Sequence, residues 1–588
     1  MLSLKRHPSF AMLTRLLSRI ERAFFSHALI IFLAVYVLCF FFFTPGLRIV
    51  DNMFFPSALH RWDIGWGGYM IYVSYLLGFF LSLLTRWIPS IEWYTLYIHI
   101  CHAVILTCFS FCLIQTREKP RIRNYAGVVF VVIFVLRYMF DIEYTNVSFF
   151  TMTSGLLLIL KSRENIRRKL LCSLGVMVFL MGCVLRYDSC LGVLPFLLAL
   201  GFISLCYEPR SLFRIASLVA CFTFVLVCHF VQEPLLIVPL KVGGEFNIIR
   251  ANDVRMRFFD YKDDSGLDKS EMYQRIGCSR NDLRIVSGLI YFPDECRDDR
   301  YWKKIASVRD EGTSRFSLKR FSALLREKSA GGSYLRWSLL GCTLLLFVRR
   351  QLRPQPADWI ALVGILCLVL LGMQGRFNDR AMLAVLIPCY SLWAMLSPSF
   401  RVSRVSHAAL ILLSLFFILR YGCLYANIQQ HFSLGGRARW GNPELTAVLV
   451  EECNAHPNRL YFAEGHRWRG IILPSSSLRA EDMKKALNFF PLDGWMCLFP
   501  SYLSALHSRG ITQPSRLLLY DHIRLILHAE SEADLVAMRC DSEGLFYYHR
   551  LEYFFTFVQE RYGIRLRLEV EKKLADGLYV ARVVRVEE

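Results

Sequence analysis

From residue 26 to residue 425 this chain runs through one apolar stretch after another, and most of the breaks between them are rich in arginine and lysine. That alternation leaves few folds open. A helix of about 20 apolar residues crosses the hydrocarbon of a bilayer, and a backbone in hydrocarbon must satisfy its own N–H and C=O groups. With 55% of its 588 residues hydrophobic, the chain is expected to be a polytopic α-helical membrane protein. Its formal charge of +21 is then assigned to cytoplasmic loops and lipid headgroups, with no nucleic acid as partner.

Charge also orders the spans. Lys5, Arg6, Arg15, Arg19 and Arg22 precede the first run, so residues 1–25 read as a cytoplasmic N-terminus and residues 26–43 as a signal anchor running outward. The apolar run 69–84 offers two topologies. If it crosses the membrane, Arg117, Lys119, Arg121 and Arg123 fall outside. If it lies along the outer face as an interfacial helix, they fall inside, and so do the basic loops around Arg163–Lys169, Arg210–Arg214, Arg349–Arg353 and Arg401–Arg404. The second choice gives about 11 transmembrane helices, at 26–43, 93–115, 125–139, 147–160, 170–185, 191–206, 215–231, 334–347, 359–373, 381–395 and 407–425. Residues 44–92 become the first outer loop and 232–333 a large outer loop, with Asn281–Asp282 as a helix cap. Residues 427–588 alternate helical runs (445–454, 481–489) with strand-like runs (459–462, 566–570, 577–584), which implies a small extracytoplasmic α/β domain.

Most of the 19 cysteines lie inside apolar runs, where a thiol is a small hydrophobe. A Cys278–Cys296 disulfide in the large outer loop is one the sequence permits. No CxxC pair, zinc-spaced Cys/His cluster or HExxH occurs, so no residues are assigned to a metal and dependence on a divalent cation stays open. There is no phosphate-binding GxxxxGK[ST] and no dinucleotide-binding GxGxxG, which sets nucleotide hydrolysis aside.

The candidate chemistry lies at the outer ends of the spans. Asp51 follows the first span closely, at a water–lipid boundary where a carboxylate can be tuned toward a general base. Asp63 is the second candidate, set among Trp62, Gly65, Trp66, Gly67 and Gly68. On the assigned topology Asp141, Glu143, Arg186, Asp188, Lys241, Arg376 and Arg380 face the same side. Arginine and lysine there would clamp a lipid-linked phosphate, and acids would move protons. The bland alternative for each is a helix cap, a local ion pair or headgroup snorkelling.

This layout resembles the GT-C fold glycosyltransferases: an outward first span, an acid just beyond it, membrane-hugging helices in the first outer loop, a second large outer loop after span seven, and an outer C-terminal domain. Short stretches are also similar to a group of large, uncharacterised multi-pass membrane proteins of Gram-positive bacteria. They are 75–94 (YLLGFFLSLLTRWIPSIEWY), 144–157 (YTNVSFFTMTSGLL), 184–188 (VLRYD), 254–261 (VRMRFFDY), 277–292 (GCSRNDLRIVSGLIYF) and 494–510 (GWMCLFPSYLSALHSRG). The resemblance implies a GT-C-like transmembrane domain over 26–426, a bacterial cytoplasmic (inner) membrane, a polyprenyl-phosphate-linked sugar as donor and no certain cofactor. The acceptor would be a cell-envelope glycan, lipid or protein, and inversion at the sugar the outcome. Where the family often pairs two acids, this chain has Asp51–Asn52. A flippase for a lipid-linked glycan and a non-catalytic envelope-assembly protein are the alternatives, and oligomeric state is open.

Overall fold

The computed structural model describes residues 73–114, 144–164, 168–207, 211–237, 299–310, 317–327, 335–340, 342–343, 355–374, 379–397, 443–463, 487–492, 500–528 and 549–586, with short pieces between them. Among the described residues the helices are α1 (Tyr75–Trp87), α2 (Trp93–Leu113), α3 (Tyr144–Lys161), α4 (Arg168–Leu185), α5 (Cys190–Tyr207), α6 (Leu212–Ile237), α7 (Asp299–Asp310), α8 (Leu318–Arg326), α9 (Pro356–Gln374), α10 (Asp379–Leu396), α11 (Pro443–Ala455), α12 (Pro500–His507) and α13 (His549–Tyr562). Four segments among the described residues are long and apolar enough to cross a membrane: α2, α4, α5 with its preceding turn, and α9. The third and eleventh expected spans lie outside the described residues, and the first and eighth fall only partly within them, so the count of 11 is not established.

The central helix α3 is absent from those four, and its composition explains why. It carries Thr145, Asn146, Ser148, Thr151, Thr153 and Ser154, yet every residue from Tyr144 to Leu160 is buried. A helix buried on all sides sits inside a bundle, and α2, α4, α5, α6 and α10 surround this one. Three of its hydroxyls are satisfied within the helix. Those of Thr151, Thr153 and Ser154 each donate to the carbonyl four residues back.

Against α4 the contact is at backbone distance. The helices run antiparallel, and their seam follows Thr145, Ser148, Met152, Gly155 and Ile159 on α3 and Gly175, Phe179 and Gly182 on α4. The Ser148 hydroxyl donates to the Gly182 carbonyl at 2.7 Å. Steps of three and four residues on both helices keep one face of each turned to the other, and glycine lets the backbones meet.

The apolar run expected at 69–84 forms α1, which begins later and extends further, from Tyr75 to Trp87. The Ile88–Pro89–Ser90 break ends it. At 13 residues, about 20 Å long, it is too short to span the hydrocarbon. It packs on α2, α4 and α6. The seventh expected span also extends further, to Ile237, which shortens the long loop expected after it.

In that loop the expected cap is corrected. Ser279 and Asp282 form the box: the Asp282 N–H donates to the Ser279 hydroxyl at 3.0 Å, and the Ser279 N–H donates to Asp282 Oδ2 at 2.7 Å. Asn281 does other work, donating from Nδ2 to the Tyr553 carbonyl on α13 at 3.0 Å. The Ser279 hydroxyl also donates to Glu560 Oε2, at 3.2 Å. The large loop is thereby docked on the C-terminal domain. Cys278 and Cys296 lie outside the described residues.

β1 (Gly46–Leu47), β2 (Asp141–Ile142), β3 (Lys241–Val242) and β4 (Phe246–Asn247) are short strands outside the C-terminal domain, which is built on a five-stranded sheet. Its strands are β5 (Leu460–Ala463), β6 (Phe489–Pro491), β7 (Ile523–His528), β8 (Leu566–Ala575) and β9 (Leu578–Arg585). β5 pairs in parallel with β6 and β7, and the β8–β9 hairpin adds antiparallel to β7. Asp576–Gly577 turns the hairpin, with Gly577 at φ 76°. The helical run expected at 481–489 ends differently, because Phe489 is already in β6. Asn488 fixes that change, its amide reaching the carbonyls of Cys453, His456 and Arg459 at 2.9–3.1 Å. Glu452 on α11 is buried yet accepts from Tyr461 Oη at 2.9 Å and Lys572 Nζ at 2.7 Å. Burial works to raise its pKa, but those two bonds and the charges of Lys572 and His456 outweigh it and hold the carboxyl below its ordinary value.

Candidate functional site

The α3–α4 seam ends at a buried cation. α4 stops at Leu185, and the chain enters α5 through a 3-10 turn at Tyr187–Ser189. Arg186 at that junction is extended, φ −152° and ψ 99°, so its side chain leaves the helix line. Its guanidinium donates from Nη1 to Thr145 Oγ1 and stacks over the Tyr144 ring, 4.9 Å from the centroid. Only 9% of the residue is exposed. The ring quadrupole and the hydroxyl are among the contacts that hold the guanidinium in place at the end of the seam.

Other elements arrive at the same end of the bundle. The Ser74 N–H donates to the Val184 carbonyl at 3.0 Å, which brings in the start of α1. Tyr97 Oη donates to the Met181 carbonyl at 2.8 Å, which sets the first turn of α2 beside the last turn of α4. β1 (Gly46–Leu47) pairs in parallel with β2 (Asp141–Ile142), two residues before α3 begins. A β-carbon added to Gly192 would meet Phe149 at 2.9 Å and Ala384 at 3.6 Å, so the first two turns of α3, α5 and α10 lie side by side. α2, α3, α5 and α10 therefore all begin where α4 ends. Their dipoles present partial positive charge to that end.

Of the sequence candidates, Arg186 and Asp188 are brought together here, Asp188 half-buried within the 3-10 turn. Asp141 stands in β2 opposite Gly46, and Arg380 is the second residue of α10. Lys241 opens a short hairpin, β3 (Lys241–Val242) with β4 (Phe246–Asn247), after α6. Asp51, Asp63, Glu143 and Arg376 lie outside the described residues. Comparison with protein-family models, curated proteins and solved structures finds no match for this chain. The site must be read from its own geometry. Among the described residues no three His, Cys, Asp or Glu side chains are placed to hold a metal ion.

One carboxylate at this end escaped the sequence reading. Glu92 is fully buried and caps α2, accepting from the N–H groups of Tyr94 at 3.1 Å and Thr95 at 2.6 Å. Its signal in the sequence was an acid directly before a long apolar run, the position of an N-cap. Burial dominates its ionisation and raises the pKa from 4.5 to about 7, against the lowering effect of the Thr95 and Tyr94 hydrogen bonds. A folded-state pKa above the unfolded one gives stability that is full below pH 4.5 and is lost as pH rises through 7. The shift corresponds to on the order of 3 kcal/mol. Glu92→Gln, which stays neutral and keeps one acceptor, is expected to flatten that dependence. Thermal unfolding of the detergent-solubilised protein between pH 4.5 and 7.5 checks it, and an equal slope in both proteins would contradict the assignment.

Proposed function

We propose that this protein is a membrane glycosyltransferase that moves a sugar from a polyprenyl-phosphate donor to a cell-envelope acceptor on the outer face of the bacterial cytoplasmic membrane. The observation that carries this reading is Arg186, a buried cation at the end of the bundle where four helices begin. A polyprenyl phosphate is a lipid with one anionic head. It needs an apolar surface for its tail and a cation at the level where span ends meet the headgroups. Helices long and apolar enough to span a membrane, with Arg186 beside their ends, supply both.

In this reaction the acceptor hydroxyl attacks the anomeric carbon as the bond to the phosphate oxygen breaks. A single displacement inverts the sugar. The phosphate is a good leaving group, so stabilising its charge contributes more than protonating it. Arg186 takes that part, with Arg376, Arg380 and Lys241 as further clamps. Asp51 takes the acceptor proton, with Asp63 as the second choice. Asp51 follows β1 by four residues in the chain, and β1 is paired beside Asp141. Asp188, Asp141 and Glu143 complete the polar end. A flippase finds less support, because the buried hydroxyls of Thr151, Thr153 and Ser154 in the middle of α3 turn back to their own helix.

The test is the envelope glycan profile of cells lacking the protein and of cells carrying Asp51→Asn at the normal protein level. Both are expected to lose the same glycan signal. An unchanged profile in the deletion strain sinks the reading, and an unchanged profile in Asp51→Asn alone removes that residue from the mechanism.

A further inference from the structure

We propose that α8, the short basic helix of the large loop, is a docking surface for the headgroups of anionic phospholipids. Its place in the fold sets its depth. The Ser317 N–H donates to the Met373 carbonyl in the last turn of α9 at 3.0 Å, and the Ser317 hydroxyl accepts from the Arg320 N–H to cap α8. Phe321 packs so closely on Gly372 that a β-carbon there would stand 2.6 Å from its ring. α9 has 19 residues, about 28 Å, and matches the hydrocarbon thickness. A helix fastened across its end therefore lies at headgroup level.

The next helical residues mark the same level. Leu335 touches the Phe321–Gly372 contact, while Cys342 lies near Gly364, so residues 335–343 run down α9 from the same end. Trp337, early in that run, is 69% exposed. Tryptophan is enriched at membrane–water interfaces, where its ring lies among headgroups.

The face of α8 turned away from the bundle has two kinds of residue. Leu318 is 70% exposed and next to exposed Lys319; exposed Arg326 lies two turns further on with its guanidinium on Ser322, while Arg320 and Leu324 face inward. Between residues 318 and 328 stand Lys319, Arg320, Arg326 and Lys328 against the single acid Glu327. Glu327 sends its backbone carbonyl to Arg336 Nη2 at 2.7 Å, holding the end of α8 to the following helix. An exposed apolar residue and two exposed cations on one short helix suit acyl-chain ends below and phosphates above. A neutral headgroup would satisfy Leu318 and leave the cations without a gain. The anionic surface satisfies both.

The test uses the full-length protein in nanodiscs of phosphatidylcholine alone or mixed equally with phosphatidylglycerol. Amide hydrogen exchange is read over residues 318–326. Each basic residue near an anionic surface gains about 1 kcal/mol, so two predict exchange about thirtyfold slower in the mixed discs. The double variant Lys319→Glu/Arg326→Glu is expected to exchange equally in both lipids. Protection of α3 and α9 in the same data reports that the bundle is intact. Equal exchange of the wild-type α8 in the two lipids overturns the proposal. So does a double variant, folded by that criterion, that still responds to phosphatidylglycerol.

Discussion

Replacing Arg186 by methionine is expected to lower sugar transfer by two to three orders of magnitude while the bundle unfolds at nearly the same temperature. The loss of activity follows from the charge. A preorganised donor aimed at a developing anion is worth about 3–4 kcal/mol in a water-poor site, a factor of 10²–10³. The small change in stability follows from the surroundings. Methionine fills much of the same volume and stays compatible with the Tyr144 ring, which sulfur contacts favourably. Thr145 loses the guanidinium as a partner. Removing a buried cation also removes its desolvation cost, which offsets much of what its lost contacts cost. Arg186→Lys keeps the charge but loses the planar fork and the stacking, and is expected to retain roughly a tenth of the activity. The measurement is transfer of labelled sugar from a polyprenyl-phosphate donor by purified protein, with melting temperatures on the same samples. Full activity in the methionine variant removes Arg186 from the phosphate site. Loss of activity together with collapse of the melting temperature assigns it to the fold instead.

Much of this arrangement is legible in the sequence, and the exceptions have physical causes. Apolar length finds α2, α4, α5 and α9 because hydrophobic content and length are what a bilayer demands. It finds α3 as well, but it does not reveal that α3 is the buried centre. That follows from its hydroxyls, which a lipid-facing helix would not collect, and from the seven-residue spacing of Gly175 and Gly182 on its partner. VLRYD draws attention to Arg186, yet Tyr144 and Thr145 lie 41 or more residues away in the chain. No local pattern links them. Glu92 was passed over because an acid before a span also reads as a loop residue. Burial, which a single sequence does not display, makes it a cap with a shifted pKa. In the C-terminal domain β5, β8 and β9 are strand-like by composition. β6 has three residues and contains Pro491, so its strand character comes from pairing with β5. The Asn281 cap failed for a related reason. Ser279 and Asn281 compete for the same local role, and Tyr553, 272 residues on, decides which is free for it.

The same substitution at two glycines should act with opposite sign, because one lies in the seam that carries Arg186. In the helix interior Gly→Ala gains about 1 kcal/mol from backbone entropy alone. Gly201 in α5 has nothing within 4 Å of an added β-carbon, so Gly201→Ala is expected to realise that gain. Gly155 in α3 has no such room. A β-carbon there would stand 2.5 Å from the Gly175 carbonyl oxygen and 2.6 Å from the Phe179 nitrogen. Both are backbone atoms of α4, so no side chain can rotate out of the way and the helices must separate. Overpacking of this kind costs about 1–3 kcal/mol, and here the neighbours are rigid, which favours the upper end. Set against the entropic gain, Gly155→Ala is expected to destabilise by roughly 1–2 kcal/mol. Separation at Gly155 is also transmitted along the seam, since Met152 and Ser148 meet Gly182 and Thr145 meets Arg186 on the same two faces. Activity should therefore fall in Gly155→Ala at temperatures well below its melting point, while Gly201→Ala keeps it. Paired melting curves and transfer rates decide the matter. A Gly155→Ala protein as stable as wild type would mean that the α3–α4 backbones are further apart than the seam requires.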